Sequence, residues 1–299
     1  MAAYFRSNDK IKRRFVSILL LFADSFLALI IHTMTDSLQG HKARKRFGQN
    51  FLQDDTIIQR IIQLFAPQVG QNVVEIGPGL GAITKYLLPA LQKLHVVELD
   101  RDLAARLPTT LAGLGELDLH QADALGFDYR QFVENGQKLR VIGNLPYNIS
   151  TPLIFHLLSY ADTISDMAFM LQKEVVDRLG AEPDTADYGR LSVMVQYRCQ
   201  VDWLLAVPPE SFNPAPKVQS AVVKLPPWIN SPYNCVNEAL LQQVVSTAFN
   251  QRRKTLRNCL KNMATEEDFA AVGINSGLRA EVLSVQQFVQ LTNQLSRHV

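Results

Sequence analysis

Between Asn72 and Ala181 the chain alternates two hydrophobic patterns. Short unbroken apolar runs, the first at Asn72–Ile76, give way to stretches where apolar residues recur every three or four positions, as Ile83, Leu87 and Leu91 do within "GPGLGAITKYLLPALQ". The runs predict buried strands, and the longer period predicts helices with one face inward. "LHVVELD" is then a second strand, "RDLAARLPTTLAGL" a second helix, "LDLHQADAL" a third strand and "KLRVIGNLPY" a fourth. The next helix is expected to open at "STPLIFHLLSYA", with Thr151 as its N-cap and Pro152 in its first turn. "DMAFMLQKEVVDRLGA" repeats strand then helix. Such alternation predicts an α/β fold with a doubly wound, mostly parallel, Rossmann-like sheet.

The pattern changes at both ends. After the proline-rich "LPPWINSPYN", helical spacing runs from Val236 onward with breaks at Gly273 and Gly277, which predicts a small C-terminal helical domain over residues 229–299. The α/β part is expected over residues 34–228. Residues 1–33 form an extension in which Arg6, Lys10, Lys12, Arg13 and Arg14 precede "FVSILLLFADSFLALII". That run resembles a signal peptide or anchor, but Asp24 interrupts it and no A-x-A cleavage site follows. A carboxylate at mid-bilayer costs roughly 3 kcal/mol on insertion scales. Synthesis starting at Met34 is the preferred reading, with a tethering helix second and export last, so a membrane role is not expected.

Composition narrows the class. With 47% hydrophobic and 19% charged residues in 299, the chain has the balance of a soluble globular protein with one sizeable core. The net charge of +2 hides an uneven distribution: nine Lys/Arg against three Asp up to Arg46, and five basic residues with no carboxylate between Glu238 and Glu266. Basic ends are where a polyanion would be gripped. The three cysteines, Cys199, Cys235 and Cys259, show no CxxC spacing and the six histidines no HxxxH spacing. No metal site or disulfide framework is indicated, and a reducing, cytoplasmic compartment fits best.

In a doubly wound sheet the ligand sits beyond the carboxyl ends of the strands. The sequence presents Glu75 and Gly77, Glu98, Asp123 and Asn144 at that edge. Gly77, Gly79 and Gly81 make E-x-G-x-G-x-G, whose bare backbone lets a ligand approach and whose following helix offers free N–H groups. Glu98, about twenty residues on, is placed to take both hydroxyls of a ribose, and Asp123 to accept from an adenine amino group. The dinucleotide fingerprint is G-x-G-x-x-G instead, and Glu75 would repel a phosphate but attract an ammonium or sulfonium. S-adenosylmethionine fits this set.

"NLPY" at the end of the fourth strand resembles the N/D-P-P-Y motif of enzymes that methylate exocyclic amines of bases. An adenine amino nitrogen is a poor nucleophile because its lone pair is delocalised into the ring. Acceptors aimed at its hydrogens, the Asn144 side-chain oxygen and the Leu145 carbonyl, would stabilise the positive charge that grows during transfer. Pro146 would hold Leu145 extended, and Tyr147 would stack on the base. No general base is then obligatory.

Taken together, "RFGQNFL", "VEIGPGLG", "VELD", "DAL", "GNLPYNIST" and "FNPAPKVQSAVV" resemble the bacterial small-subunit (16S) rRNA adenine N6,N6-dimethyltransferase family, from about His41 to the C-terminus. The resemblance implies Asn50 and Leu52 lining the cofactor site, Glu75 and Gly77 at the methionyl group, Glu98 on the ribose, Asp123 at the adenine end and Asn144 near the transferred methyl. It implies Phe212 as an aromatic that sandwiches the target base opposite Tyr147. The implied substrate is a pair of adjacent adenines near the 3′ end of 16S rRNA within the immature small subunit, each methylated twice. Arg44, Lys45 and Arg46, and Arg252, Arg253, Lys254, Arg257 and Lys261, are the candidate RNA-phosphate contacts. Phe249, Leu256 and Leu260 of the second basic segment are expected to point inward. Two rivals remain open: a large-subunit rRNA adenine N6-methyltransferase of the macrolide-resistance type, and an assembly factor acting mainly by binding immature subunits. DNA is not expected as a substrate, and a monomer is the default.

Overall fold

The computed structural model describes residues 50–133, 136–251 and 253–297; the expectations placed on residues 1–33, Arg44, Lys45, Arg46 and Arg252 lie outside the described residues. The chain enters through β1 (Phe51–Leu52), and Asp54 then caps α1 (Asp55–Phe65) by accepting from the Thr56 and Ile57 N–H groups. The alternating core follows: β2 (Val73–Ile76), α2 (Thr84–Leu91), β3 (Lys93–Glu98), α3 (Arg101–Thr110), β4 (Glu116–Gln121), β5 (Leu139–Asn144), α4 (Ser150–Leu158), β6 (Ile164–Gln172) and α5 (Lys173–Leu179). After α6 (Arg190–Arg198) come β7 (Asp202–Val207), β8 (Phe212–Asn213) and β9 (Ser220–Lys224), then α7 (Glu238–Phe249), α8 (Leu256–Cys259), α9 (Glu266–Ala271) and α10 (Val285–Leu295).

The main sheet runs β4-β3-β2-β5-β6-β9-β7. Its first five strands are parallel, and β9 lies antiparallel to both β6 and β7. Strand order reverses at β2, which pairs with β3 on one side and β5 on the other, so a crevice opens at the carboxyl ends of β2 and β5. Alternate residues of each strand serve opposite faces. Val74, Val97 and Val141 pack in one apolar layer, while Val73, Val96 and Ile142 pack in the other with α1 and α2.

A third apolar cluster joins Tyr188, Val193, Met194 and Tyr197, at and within α6, to Leu241, Val244 and Val245 of α7 and Phe288 of α10. The C-terminal helices therefore bury their inner faces against α6. Leu256 and Leu260 are fully buried and Phe249 partly so. Among the described residues no helix is long and apolar enough to cross a membrane.

One boundary differs from the sequence reading. α4 begins at Ser150, with Ile149 at the cap, so Thr151 is helical and caps nothing. The reason is a turn immediately before it, closed by the Ile149 N–H donating to the Pro146 carbonyl at 3.1 Å. That turn brings the helix start directly onto the edge of β5.

Candidate active site

At the switch point lies a cavity of about 260 Å³. Its floor is the turn after β2, where Gly77 and Gly79 have φ of +65° and +59°, values that favour glycine. A Cβ on Gly79 would come within 3.3 Å of the Phe51 ring, so the aromatic of β1 closes over the turn. Gly143 has a different duty: a Cβ there would stand 2.5 Å from the Ile76 carbonyl. Only a bare backbone lets the end of β5 approach β2 and carry Asn144 to the rim.

Two carboxyls line the cavity from adjacent strands. Glu98, 6% exposed, accepts from the Gly79 N–H at 3.2 Å through one oxygen and from the Asp100 N–H at 2.8 Å through the other. Burial raises its pKa, and those two N–H groups oppose the rise. Glu75, 2% exposed, is less well served. Burial pushes its carboxyl up to about 8; the Thr84 hydroxyl opposes this and the Glu98 charge adds to it. Neither Glu75 Oε2 nor Thr84 Oγ1 completes a hydrogen bond. Asp123 stands exposed at the far wall, with one oxygen capping its own turn through the Leu125 N–H at 2.9 Å. It lies two residues beyond the end of β4, with Ala122 and Ala124 beside it on the cavity wall.

The fourth wall is the Asn144–Tyr147 loop. Asn144 Nδ2 donates to the Asn50 carbonyl at 3.2 Å, which uses one of the amide's two N–H donors and leaves its oxygen as an acceptor. The Leu145 N–H donates to the Met170 carbonyl at 3.2 Å and fixes that peptide plane. The Tyr147 hydroxyl shares a 2.7 Å hydrogen bond with Ser220 Oγ at the start of β9. Asn50, Leu52, Leu145, Pro146 and Tyr147 all line the cavity.

Phe212 departs from its expected place. It is 5% exposed, pairs across from Leu52 in the β1–β8 ribbon, and packs in the apolar layer that holds α1 and α2. Its ring is core, and what it positions is β1. The second basic segment also differs: α7 ends at Phe249, so Arg253 and Lys254 lie in a turn and Arg257 on the short α8. Arg253, Lys254, Arg257 and Lys261 are all exposed. Sequence reasoning missed three contributors: Phe51, Gly143 and Ser220. A glycine inside a strand pattern is a signal that could have marked Gly143. Nothing local marks Ser220.

What the cavity lacks defines what it would hold. A buried carboxyl with an unpartnered oxygen fits an ammonium, Glu98 retains acceptor capacity for ribose hydroxyls, and apolar walls between Leu99 and Ala124 fit a flat base. Those demands are met together by S-adenosylmethionine, and the sheet, with one antiparallel strand inserted before its edge, is that of the class I methyltransferases.

Comparison with known proteins narrows the class. Residues 40–297 match the family described as ribosomal RNA adenine dimethylase, and the chain belongs to that family. It is 56% identical over 254 residues to "Ribosomal RNA small subunit methyltransferase A" of Shewanella sediminis, covering 85% of this chain and 95% of that protein. A crystal structure of a dimethyladenosine transferase from Plasmodium falciparum superposes with a TM-score of 0.68 at 25% identity, over 81% of this chain and 95% of the other. The 23S rRNA methyltransferase ErmE aligns with a TM-score of 0.63 at 24% identity, over 83% of this chain and all of that one, a likeness of fold.

Proposed function

We propose that the protein transfers methyl groups from S-adenosylmethionine to the N6 atoms of two adjacent adenines near the 3′ end of 16S rRNA, acting as a cytoplasmic monomer on the immature small subunit. The observation that carries this reading is the fixed Asn144 amide: its nitrogen is tied to Asn50, and the residue lines the same cavity as Glu75 and Glu98. The cofactor, when bound, supplies a methyl group on a positively charged sulfur. Glu75 would hold its ammonium, Glu98 its ribose hydroxyls and Asp123 its adenine amino group.

The rest is done by the loop. The Asn144 oxygen and the Leu145 carbonyl accept from the amino hydrogens of the target base, so the positive charge that grows on N6 meets two fixed dipoles. Tyr147, held by Ser220, offers a ring face to that base. No side chain needs to remove the proton before transfer, because the methylated amine is acidic enough to lose it to water afterwards. Holding donor and acceptor in line contributes on the order of 7–11 kcal/mol. Residues 34–228 would form the catalytic domain and 229–299 the RNA-binding helical domain. Arg253, Lys254, Arg257 and Lys261, with Arg252 and the basic segment Arg44, Lys45 and Arg46, would meet phosphates and make binding strongly salt-dependent.

The test offers labelled S-adenosylmethionine and the purified chain to small subunits lacking the modification, to large subunits and to DNA. N6,N6-dimethyladenosine confined to small-subunit RNA is the expected result. Label in large-subunit RNA or DNA, or subunit binding without any transfer, would overturn the proposal.

A further inference from the structure

Strand pairing brings His95 beside Asp118 and His120, which lie two residues apart on the neighbouring strand. In the parallel β3–β4 ladder His95 lies opposite Asp118, and Val97 lies opposite His120, so His95, Asp118 and His120 share one face of the sheet. His95 Nδ1 is 2.7 Å from Asp118 Oδ2, and His120 Nε2 is 3.1 Å from Asp118 Oδ1. The three ligand atoms all lie within 4.8 Å of one another.

His95 is hydrogen-bonded to Asp118, whereas His120 meets the same carboxylate in an off-axis ion-pair contact at 3.1 Å. Despite its nearness to Asp118, the buried Nε2 of His120 is not aligned for a hydrogen bond and has no other partner. Metal binding would replace that contact: the ring nitrogen facing Asp118 gives up its proton and turns its lone pair to the ion. Both rings are also held: His95 stacks on Phe132 at 4.4 Å, and His120 packs edge-on against Phe132 at 5.0 Å and Phe127 at 5.4 Å. Such an apolar shell fixes ring orientation and lowers the local dielectric. The Asp118 side chain, 40% exposed, leaves a path from solvent.

The geometry points to a binding site for one divalent transition-metal ion such as zinc, held by His95, Asp118 and His120 with water in the remaining position. Donors around tetrahedral zinc stand about 3.3 Å apart, from bonds of 2.0–2.1 Å. Two of the separations, 2.7 and 3.1 Å, fall just below that value and all lie within 4.8 Å, so small side-chain rotations would close the site. β4 is the edge strand of the sheet, and Phe127, which packs on His120, follows the Asp123 and Ala124 segment of the cavity wall. An ion here would staple β4 to β3 and steady that wall.

The full chain, freed of metal by chelation and dialysis, is titrated with cobalt(II) and then zinc. The expected result is one equivalent of cobalt with the visible bands of a four-coordinate site, displaced by zinc, and a melting temperature raised several degrees by zinc. Asp118→Asn and His120→Ala lose both signals. His120→Gln, which keeps a polar side chain but is a poor ligand, loses them too in a chain whose metal-free melting temperature stays near that of the parent. Absence of stoichiometric binding by the parent chain, or binding that survives His120→Gln, would overturn the site.

Discussion

Glu98 and Glu75 close neighbouring strands and line the same cavity, yet the backbone treats them differently. Glu98 receives an N–H on each oxygen, whereas Glu75 Oε2 meets no donor and its carboxyl is pushed up to about 8. The ribose side of the pocket is thus prepared in advance, while the methionine side stays largely neutral at pH 7 until a cation arrives. The contrast implies that cofactor uptake releases a proton from Glu75.

Variants can break the contrast in order of size. Asn144→Ala leaves both acids in place, so transfer should fall by roughly 10²–10³-fold, the loss seen when one transition-state hydrogen-bonding group is removed, while cofactor affinity holds. Single-turnover kinetics beside equilibrium dialysis measures both. Glu98→Gln should weaken cofactor binding by about 10–100-fold, the 1.5–3 kcal/mol of a charge-assisted hydrogen bond, with little change in rate at saturation.

For Glu75 the sign follows from its raised pKa. Cofactor binding needs the ionised form, so affinity should fall by up to tenfold per unit as pH drops below about 8, and Glu75→Gln should abolish that slope. The free protein behaves in the opposite sense. The raised pKa gives stability that is full below the ordinary carboxylate range and is lost as pH rises through about 8, so Glu75→Gln should melt higher than the parent above that pH. Calorimetric titrations and melting curves across pH check the two halves. Ser220→Ala has the smallest effect: losing one hydrogen bond of about 1 kcal/mol should slow transfer roughly fivefold without changing cofactor affinity, and Ser220→Thr should restore most of it.

The cofactor side was legible in the sequence because its parts are local. Gly77, Gly79, Glu98 and Asp123 each sit at the end of a strand whose apolar run announces where the edge falls. The acceptor side was legible only as a motif, since its support comes from far away: Asn50 lies 94 residues before Asn144, and Ser220 lies 73 after Tyr147. Phe212 misled for the same reason. An aromatic before a proline turn reads equally as a stacking residue or as core, and the pairing of β8 with β1 places it in the core. Strand direction is equally silent in hydrophobic alternation, so the antiparallel placement of β9 against β6 and β7 had no signal. The grouping of His95 with Asp118 and His120 rests on register between strands, which residue spacing does not encode.

The central mechanistic claim is that Asn144 and Leu145 stabilise a growing charge and that no side chain acts as a general base. Its most direct test is the single-turnover rate of methyl transfer at saturating cofactor, followed between about pH 6 and 9. The account predicts a flat rate, with all pH dependence confined to cofactor affinity through Glu75. A rate that climbs about tenfold per pH unit before levelling would reveal a titrating base in the transfer step and would contradict it.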